Sequence, residues 1–298
     1  MAGIRGIVDG PGFVALPNTL WDAAQHPTPS GPHWQQGVTW TDWCGGADTT
    51  YADECIAVTG TGGAAPAAPP LEPTAAGGVD RGATAFTVFA AFDCSLIGLP
   101  DVDQAAEALA RSEAFQVSRA FWSGQAGGQA TVWPHLAADS ALDDPQGIRL
   151  QTAADTVLGA ADDAAVVVGR LDQALAEQYG GEGVVHVPVA ALATLKARSL
   201  IRKDDDEPGV LRTPGGHRIV AAAGYSGTGP DGSAPAAGAV WLYATGALFG
   251  FRSDVAVRDF PGTFDRATNT IHKMASRTYL FGWECAHLAA LMTLGVPA

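Results

Sequence analysis

The sequence predicts an α+β chain with mostly antiparallel strands. Two stretches of helical period, at about Asp101 to Trp122 and about Thr152 to Gln178, carry the helical part of that expectation. Short apolar runs separated by Gly or Pro turns, from Gly183 to the C-terminus, carry the strand part. At 298 residues and 47 % hydrophobic, the chain has ample material for a core, in one large domain or two ordinary ones.

Taken in order, residues 1 to about 35 hold Pro11, Pro17, Pro27, Pro29 and Pro32 with no sustained period, which predicts an extended arm that needs a surface to lie on. Next come Trp34, Trp40 and Trp43, then a Gly/Ala/Pro tract from about Thr59 to Gly78 that cannot bury enough apolar area to order itself. Gln36 to Trp43 and Thr84 to Cys94 read as strands on either side of it, the second with Phe86, Val88, Ala90 and Phe92 alternating with Thr87, Phe89 and Ala91. Together they predict a protruding hairpin with a long mobile tip.

The first helix is expected to start at Asp101 or Asp103 and to stop at Ser123-Gly124. Val102, Ala106, Leu109, Glu113, Val117, Ala120 and Phe121 follow its period, with one polar interruption, and Gln104, Glu107, Arg111, Gln116 and Arg119 form its polar face. The second helix turns Leu158, Val168, Leu171 and Leu175 inward and ends at Tyr179-Gly180-Gly181. Val184 to Val187 reads as a strand, and Pro188 as the first turn of a helix through Leu195. An acidic turn, Asp204 to Glu207, precedes strands expected at Arg218 to Ala223, Ala239 to Ala244, Ala247 to Arg258 and Arg277 to Thr293.

Charge and motifs restrict the function. A formal charge of -14 repels a phosphate backbone, so sequence-specific nucleic-acid binding is not expected. No run of 18 apolar residues is present, and Met1 to Asp9 lacks a basic region followed by an apolar one, so neither a membrane span nor a secretory signal is expected and synthesis is assigned to the cytoplasm. The four cysteines, Cys44, Cys55, Cys94 and Cys285, form no C-x-x-C pair and, even with His33, no spacing typical of zinc; they are read as buried thiols. Only three of the 17 basic residues are lysines, Lys196, Lys203 and Lys273, and Ala and Gly are abundant, the mark of a GC-rich genome.

Catalytic patterns come close and fail on mechanism. Gly227-Thr228-Gly229-Pro230-Asp231-Gly232 matches G-x-G-x-x-G, yet Pro230 and Ser233-Ala234-Pro235 lead to a strand and not to the helix a pyrophosphate needs. Gly224-Tyr225-Ser226-Gly227-Thr228 misses the nucleophile elbow at its last position. Asp204-Asp205-Asp206-Glu207 lacks the alternating ligands and central Gly of a calcium loop, and reads as a solvated turn. His26, His33, His135, His186, His217, His272 and His287 are dispersed, none beside a nucleophile. No catalytic, metal or cofactor residue is expected.

A set of short motifs remains. It comprises Phe86-Thr87-Val88-Phe89 running to Asp93-Cys94-Ser95, Ala108-Leu109-Ala110-Arg111-Ser112-Glu113, Phe121-Trp122-Ser123-Gly124, Pro134-His135-Leu136-Ala137, Gly183-Val184-Val185-His186, Leu211-Arg212-Thr213-Pro214-Gly215-Gly216, Trp241-Leu242-Tyr243-Ala244-Thr245-Gly246 and Asp265-Arg266-Ala267-Thr268-Asn269. In this order, over about Val38 to Val296, the chain resembles the major capsid proteins of tailed bacteriophages of actinobacteria, which have the Hong Kong 97-like fold. The resemblance implies an N-terminal arm (1–35), an extended loop (36–96), a spine helix (101–122), a peripheral domain (97–149 and 246–298) whose loop at 259–269 meets threefold neighbours, and a mainly axial domain (150–245). It implies hexamers and pentamers closing an icosahedral shell around double-stranded DNA, a virion location after assembly in the host cytoplasm, and scaffolding, portal and decoration proteins as separate partners. Inter-subunit contacts are expected at Trp34, Trp40, Trp43, Phe86, Phe89, Arg111, Arg119, Arg258, Phe260, Phe264 and Arg266, because rigid rings on arms that cannot bury themselves suit interfaces.

Two departures from the family pattern stand out. Some members cross-link through a lysine of the extended loop, but residues 36–96 hold none, so stability must come from packing, augmented strands or a cement protein. Others carry a long N-terminal scaffolding segment, where about 35 residues precede the first strand here. The same architecture also serves encapsulin-type nanocompartments. A third reading, a soluble β-rich enzyme or a glycan-binding phage surface protein, would use the Trp-rich zone as a stacking platform.

Overall fold

The computed structural model describes residues 13, 14, 16, 19–29, 31–42, 78–95, 102–127, 130–137, 157–230, 232–265 and 270–295. The tract at Thr59 to Gly78, apart from its last residue, lies outside them, as do Cys44, Cys55, Trp43 and Arg266.

The N-terminal zone contains a short helix α1 (Leu20–Ala23), capped by Thr19, whose hydroxyl accepts from the Asp22 N–H while Asp22 accepts in return from the Thr19 N–H. A 3-10 turn at Pro32–Gln36 follows. Strands β1 (Val38–Asp42) and β2 (Val79–Ala83) pair antiparallel, Asp42 opposite Val79. Strand β3 (Phe86–Ser95) was expected to be the second arm of that hairpin. It instead pairs along its length with a strand near the C-terminus, and β2 takes its place. The alternation within β3 is as read: Phe86 and Val88 are buried, Phe89 and Thr87 exposed.

Helix α2 (Val102–Ser123) matches the first expected helix within a residue at each end. Asp103 lies inside it, and Asp101 falls outside the described residues. The two-residue strands β4 (Gln125–Ala126) and β5 (Ala130–Thr131) follow. Helix α3 spans only Ala164–Gln178, shorter than the expected stretch from Thr152. Asp163 caps it by accepting from the Ala165 N–H, and the described residues before it, 157–162, touch the last strand at two isolated bridges, Val157 opposite Ala289 and Asp162 opposite Met292, with a bend at Gly159 between them. Leu158 still packs on the core, though from this non-helical segment.

The remaining elements are β6 (Val184–Pro188), α4 (Val189–Ala197), β7 (Arg202–Lys203), β8 (Leu211–Arg212), β9 (Arg218–Ala222), β10 (Ala239–Thr245), β11 (Leu248–Arg252), β12 (Ala256–Asp265), β13 (Thr270–Trp283) and β14 (His287–Thr293). Pro188 ends β6 and caps α4 instead of opening its first turn. Two strands expected as continuous are each broken. Ala247 to Arg258 splits at Ser253–Val255, and Arg277 to Thr293 splits where Cys285 takes a φ of 54°. Residues 259–265, expected as a loop, are strand, with the register shifting between Asp259 and Phe264 around Pro261-Gly262.

Two sheets result. One has the order β14-β10-β6-β9-β8-β7, antiparallel throughout except for β6 with β9. The other gathers β11, β12 and β3 on the long strand β13. Val167, Leu171 and Leu175 of α3 and Ala191 and Leu195 of α4 seal the first sheet against Val185, Val187, Ile219, Leu242, Leu288 and Met292. Helix α2 lies over β3 and β13, burying Leu109, Val117 and Phe121 with Phe86, Val88 and Ala275.

The end of α2 joins both sheets. Phe121 meets Trp283 and Phe281 edge-on at 5.5 and 5.7 Å, and Trp122 meets Tyr243 edge-on at 4.9 Å while its indole N–H donates to the Thr228 hydroxyl at 3.0 Å. Beneath them His186 is fully buried, bonded through Nδ1 to the Tyr225 hydroxyl and through Nε2 to the Thr245 hydroxyl, both at 3.1 Å.

Candidate functional site

The residues that could have formed a reactive centre do structural work. Gly227 and Gly232 have φ of 75° and 73°, and their loop returns directly to β10 with no helix to receive a phosphate. The Ser226 hydroxyl shares a hydrogen bond with that of Thr228 at 2.9 Å. Within the acidic turn, Asp204 accepts from the N–H groups of Asp206 and Glu207 and pairs with Arg212, which holds its carboxyl below the usual range. Glu207 pairs with Arg218 at 2.6 Å. Arg218 also donates to the Asp22 carbonyl oxygen at 3.1 Å, so the run read as a solvated turn is tied through Glu207 and Arg218 to α1. Among the described residues no three His, Cys, Asp or Glu side chains converge as a metal would need, and no helix is long and apolar enough to cross a membrane.

Cys285 corrects the reading of the cysteines as thiols: it is half-buried and disulfide-bonded. Its N–H donates to Asp42 Oδ2 at 3.2 Å, at the base of the β1–β2 hairpin. That carboxylate is itself buried, and receives the Trp40 indole N–H at 2.8 Å and the Arg81 guanidinium at 3.4 Å. Trp40 stands edge-on to Phe249 at 5.0 Å over Gly282, where an added Cβ would come within 2.9 Å of the indole and 2.5 Å of the Phe249 ring. Only glycine leaves room for that seat.

The expected contact residues fall into three groups. Trp34 and Phe86 are buried in their own chain, Trp34 stacked on Phe251 at 5.8 Å and Phe86 on Tyr279 at 6.1 Å, and Trp40 is half-buried. Phe89, Arg111, Arg119 and Arg258 are exposed; Arg111 pairs with Glu107 one turn back, and Arg119 donates to Gln125 at 3.0 Å. Phe260 and Phe264 are described only as backbone in β12, and Trp43 and Arg266 fall outside the described residues.

Other exposed apolar side chains escaped the sequence reading. Phe13, Val14 and Leu16 border a groove of about 450 Å³ whose far wall includes Ala110, Ala114 and Phe115 of α2, and Phe115 is itself 43 % exposed. Phe115 sits beside Gln116 on the polar face of α2, and an aromatic ring there was the signal that could have found it. The described surface thus carries apolar rings and arginines and no reactive constellation.

Comparison of the whole chain with known structures gives the fold its parallel. The capsid of a native GTA particle is 15 % identical with a TM-score of 0.53, covering 99 % of this chain and 94 % of that one. A structure from Gordonia phage Cozz is 11 % identical with a TM-score of 0.53, covering 99 % and 92 %. The capsid of Ralstonia phage GP4 is 9 % identical with a TM-score of 0.53, covering 100 % and 97 %. The chain therefore shares the fold of phage capsid structures from end to end. No protein-family model and no curated protein sequence matches it.

Proposed function

We propose that the chain is a major capsid protein that assembles as hexamers and pentamers into the icosahedral head of a tailed bacteriophage, around double-stranded DNA. The observation that carries this reading is the likeness of fold over nearly the whole chain to capsids of a GTA particle and of a Ralstonia phage. On this reading the role of the chain is structural.

On this reading the Hong Kong 97-like parts follow. Residues 1–35 are the N-terminal arm, β1 and β2 the base of the extended loop, and α2 the spine helix. The β11–β12–β13–β3 sheet belongs to the peripheral domain, and the β14-to-β7 sheet with α3 and α4 is mainly axial. Phe89, Arg111, Arg119 and Arg258 serve as inter-subunit contacts on exposed surface, joined by Trp43, Phe260, Phe264 and Arg266, while Trp34, Trp40 and Phe86 act by fixing the elements that carry such contacts. Scaffolding, portal and decoration proteins are separate chains, and the assembled protein resides in the virion after assembly in the host cytoplasm. Light scattering on the purified chain, alone and co-expressed with the genes flanking its own, tests the proposal. Closed particles of very high mass that protect DNA from nuclease support it; a species that stays monomeric in both preparations across salt and pH overturns it. Particles that hold an enzyme and no DNA would assign the same shell to a nanocompartment.

A further inference from the structure

We infer that residues 19–25, which hold α1, form a latch between the two sheets that lets go as one unit while both sheets stay folded. The segment has a hold on each sheet. On the β11 side the Gln25 N–H donates to the Leu248 carbonyl oxygen at 2.8 Å, and the Gln25 carbonyl oxygen accepts the Gly250 N–H at 2.9 Å, so Gln25 lies parallel to β11 at Phe249. The Trp21 indole is held between the His26 ring, stacked at 3.9 Å, and the Arg252 guanidinium of β11 at 4.3 Å, with Tyr279 and Phe281 of β13 edge-on at 6.1 and 6.2 Å. On the other side the hold is Arg218 of β9, which donates to the Asp22 carbonyl oxygen at 3.1 Å and is itself steadied by Glu207 at 2.6 Å. β9 and β11 belong to different sheets.

Little else keeps the segment in place. α1 is a single turn of 4 residues, far below the ~12–15 at which a helix begins to hold by itself in water. Its capping box fixes the shape of that turn and ties it to nothing outside. Within residues 19–25 only Leu20 and Ala24 are buried, and Gln25, which carries both bonds to β11, is exposed. Few buried apolar contacts and water-accessible backbone bonds mark a region that opens below the free energy of global unfolding. The sheets differ in this respect, since Leu242 and Tyr243 of β10, Leu288 and Met292 of β14, and Leu280 and Trp283 of β13 are all fully buried.

The two holds are coupled through α1. Asp22 lies inside that turn and Gln25 just beyond it, so a loosened Asp22 carbonyl oxygen lets the turn swing and takes Gln25 with it. Seated, the segment fixes β9 against β11. Released, it frees the edge of β11 away from β13 and removes Leu20 and Trp21 from the wall of the groove along α2. This inference does not rest on the proposed function.

Native-state amide exchange on the purified full chain, read by NMR without denaturant, tests the latch. The amides of Ala24, Gln25 and Gly250, bonded to Trp21, Leu248 and Gln25 respectively, are expected to share one opening free energy, below that of the amides of β10 and β14. Arg218→Ala should quicken all three about tenfold, the loss expected of a hydrogen bond from a charged donor, although Gly250 stands in the other sheet. Trp21→Ala, which leaves the Arg218 contacts in place, should quicken the same three. Separate opening free energies for the three amides in the wild type, their exchange only together with β10 and β14, or a wild-type rate at Gly250 in either variant overturns the latch. The wild-type measurement needs no substitution, so the test stands even where Arg218→Ala fails to fold.

Discussion

Glu113 interrupts the apolar stripe of α2, and Arg277 on β13 accounts for it. Both Glu113 carboxylate oxygens lie 3.1 Å from Arg277 Nη1, with the two side chains only 14 % and 20 % exposed. A polar residue at a half-buried helix position is thus matched across the sheet. Glu113→Ala is expected to cost about 1–2 kcal/mol, since it leaves a half-buried guanidinium with Tyr279 but without its carboxylate, and the double variant with Arg277→Leu should recover part of that loss in urea unfolding. Gly224 illustrates a different constraint. A Cβ there would sit 2.3 Å from the Phe115 carbonyl oxygen and 2.5 Å from the Arg119 N, so Gly224→Ala must push the turn off α2 and should lower stability by about 1–3 kcal/mol in the same measurement.

His186 makes stability depend on pH. Burial, reinforced by His287, pushes its folded-state value down from 6.5 to about 3. Above pH 6.5 the imidazole is neutral in both states and contributes no pH dependence. As pH falls from 6.5 towards 3 the unfolded chain takes up a proton that the folded chain refuses, and stability drops by up to roughly 1.4 kcal/mol per pH unit. Unfolding at pH 8, 6 and 5 should show a steeper fall for the wild type than for His186→Gln, in which this titration is gone.

At the scale of elements, periodicity read the parts and could not read the partners. α2 was legible because its stripe runs through 22 residues and glycine follows it. The inward face of β3 was legible from alternation, but its partner was not, since Thr87 meets Thr278 across 191 residues and nothing local names that strand. The break after β13 was hidden because a cysteine, not a glycine, takes the positive φ that redirects the chain into the other sheet. Pro261-Gly262 read as a loop because that pair usually makes a turn; β12 has a partner on one side only among the described residues, so a bulge absorbs the missing N–H. The candidate surface was half legible: exposed Phe89 and the arginines were named in advance, whereas burial of Trp34 and Phe86 depended on β11 and β13, which the sequence places far away. The hairpin seat gives this scale its prediction. Trp40→Ala removes the ring packed over Gly282, and amide exchange in β1 and β2 should quicken about tenfold while β10 and β14 keep their protection.

For the whole molecule, an acidic chain of -14 can line a DNA-filled shell without binding the duplex too tightly for release. No lysine lies in residues 36–96, so particles boiled in reducing detergent should run as single chains of 30.5 kDa, with no covalent ladder. Phe89, 56 % exposed on the face of β3 away from α2, should matter to assembly and little to folding. Phe89→Asp is expected to shift unfolding by no more than about 0.5 kcal/mol while reducing the yield of closed particles, as read by sedimentation. Negative-stain electron microscopy of the chain co-expressed with its flanking genes tests the central proposal most directly. Closed icosahedral shells with hexameric and pentameric units are the expected result, and a field of separate, single folded chains would contradict it.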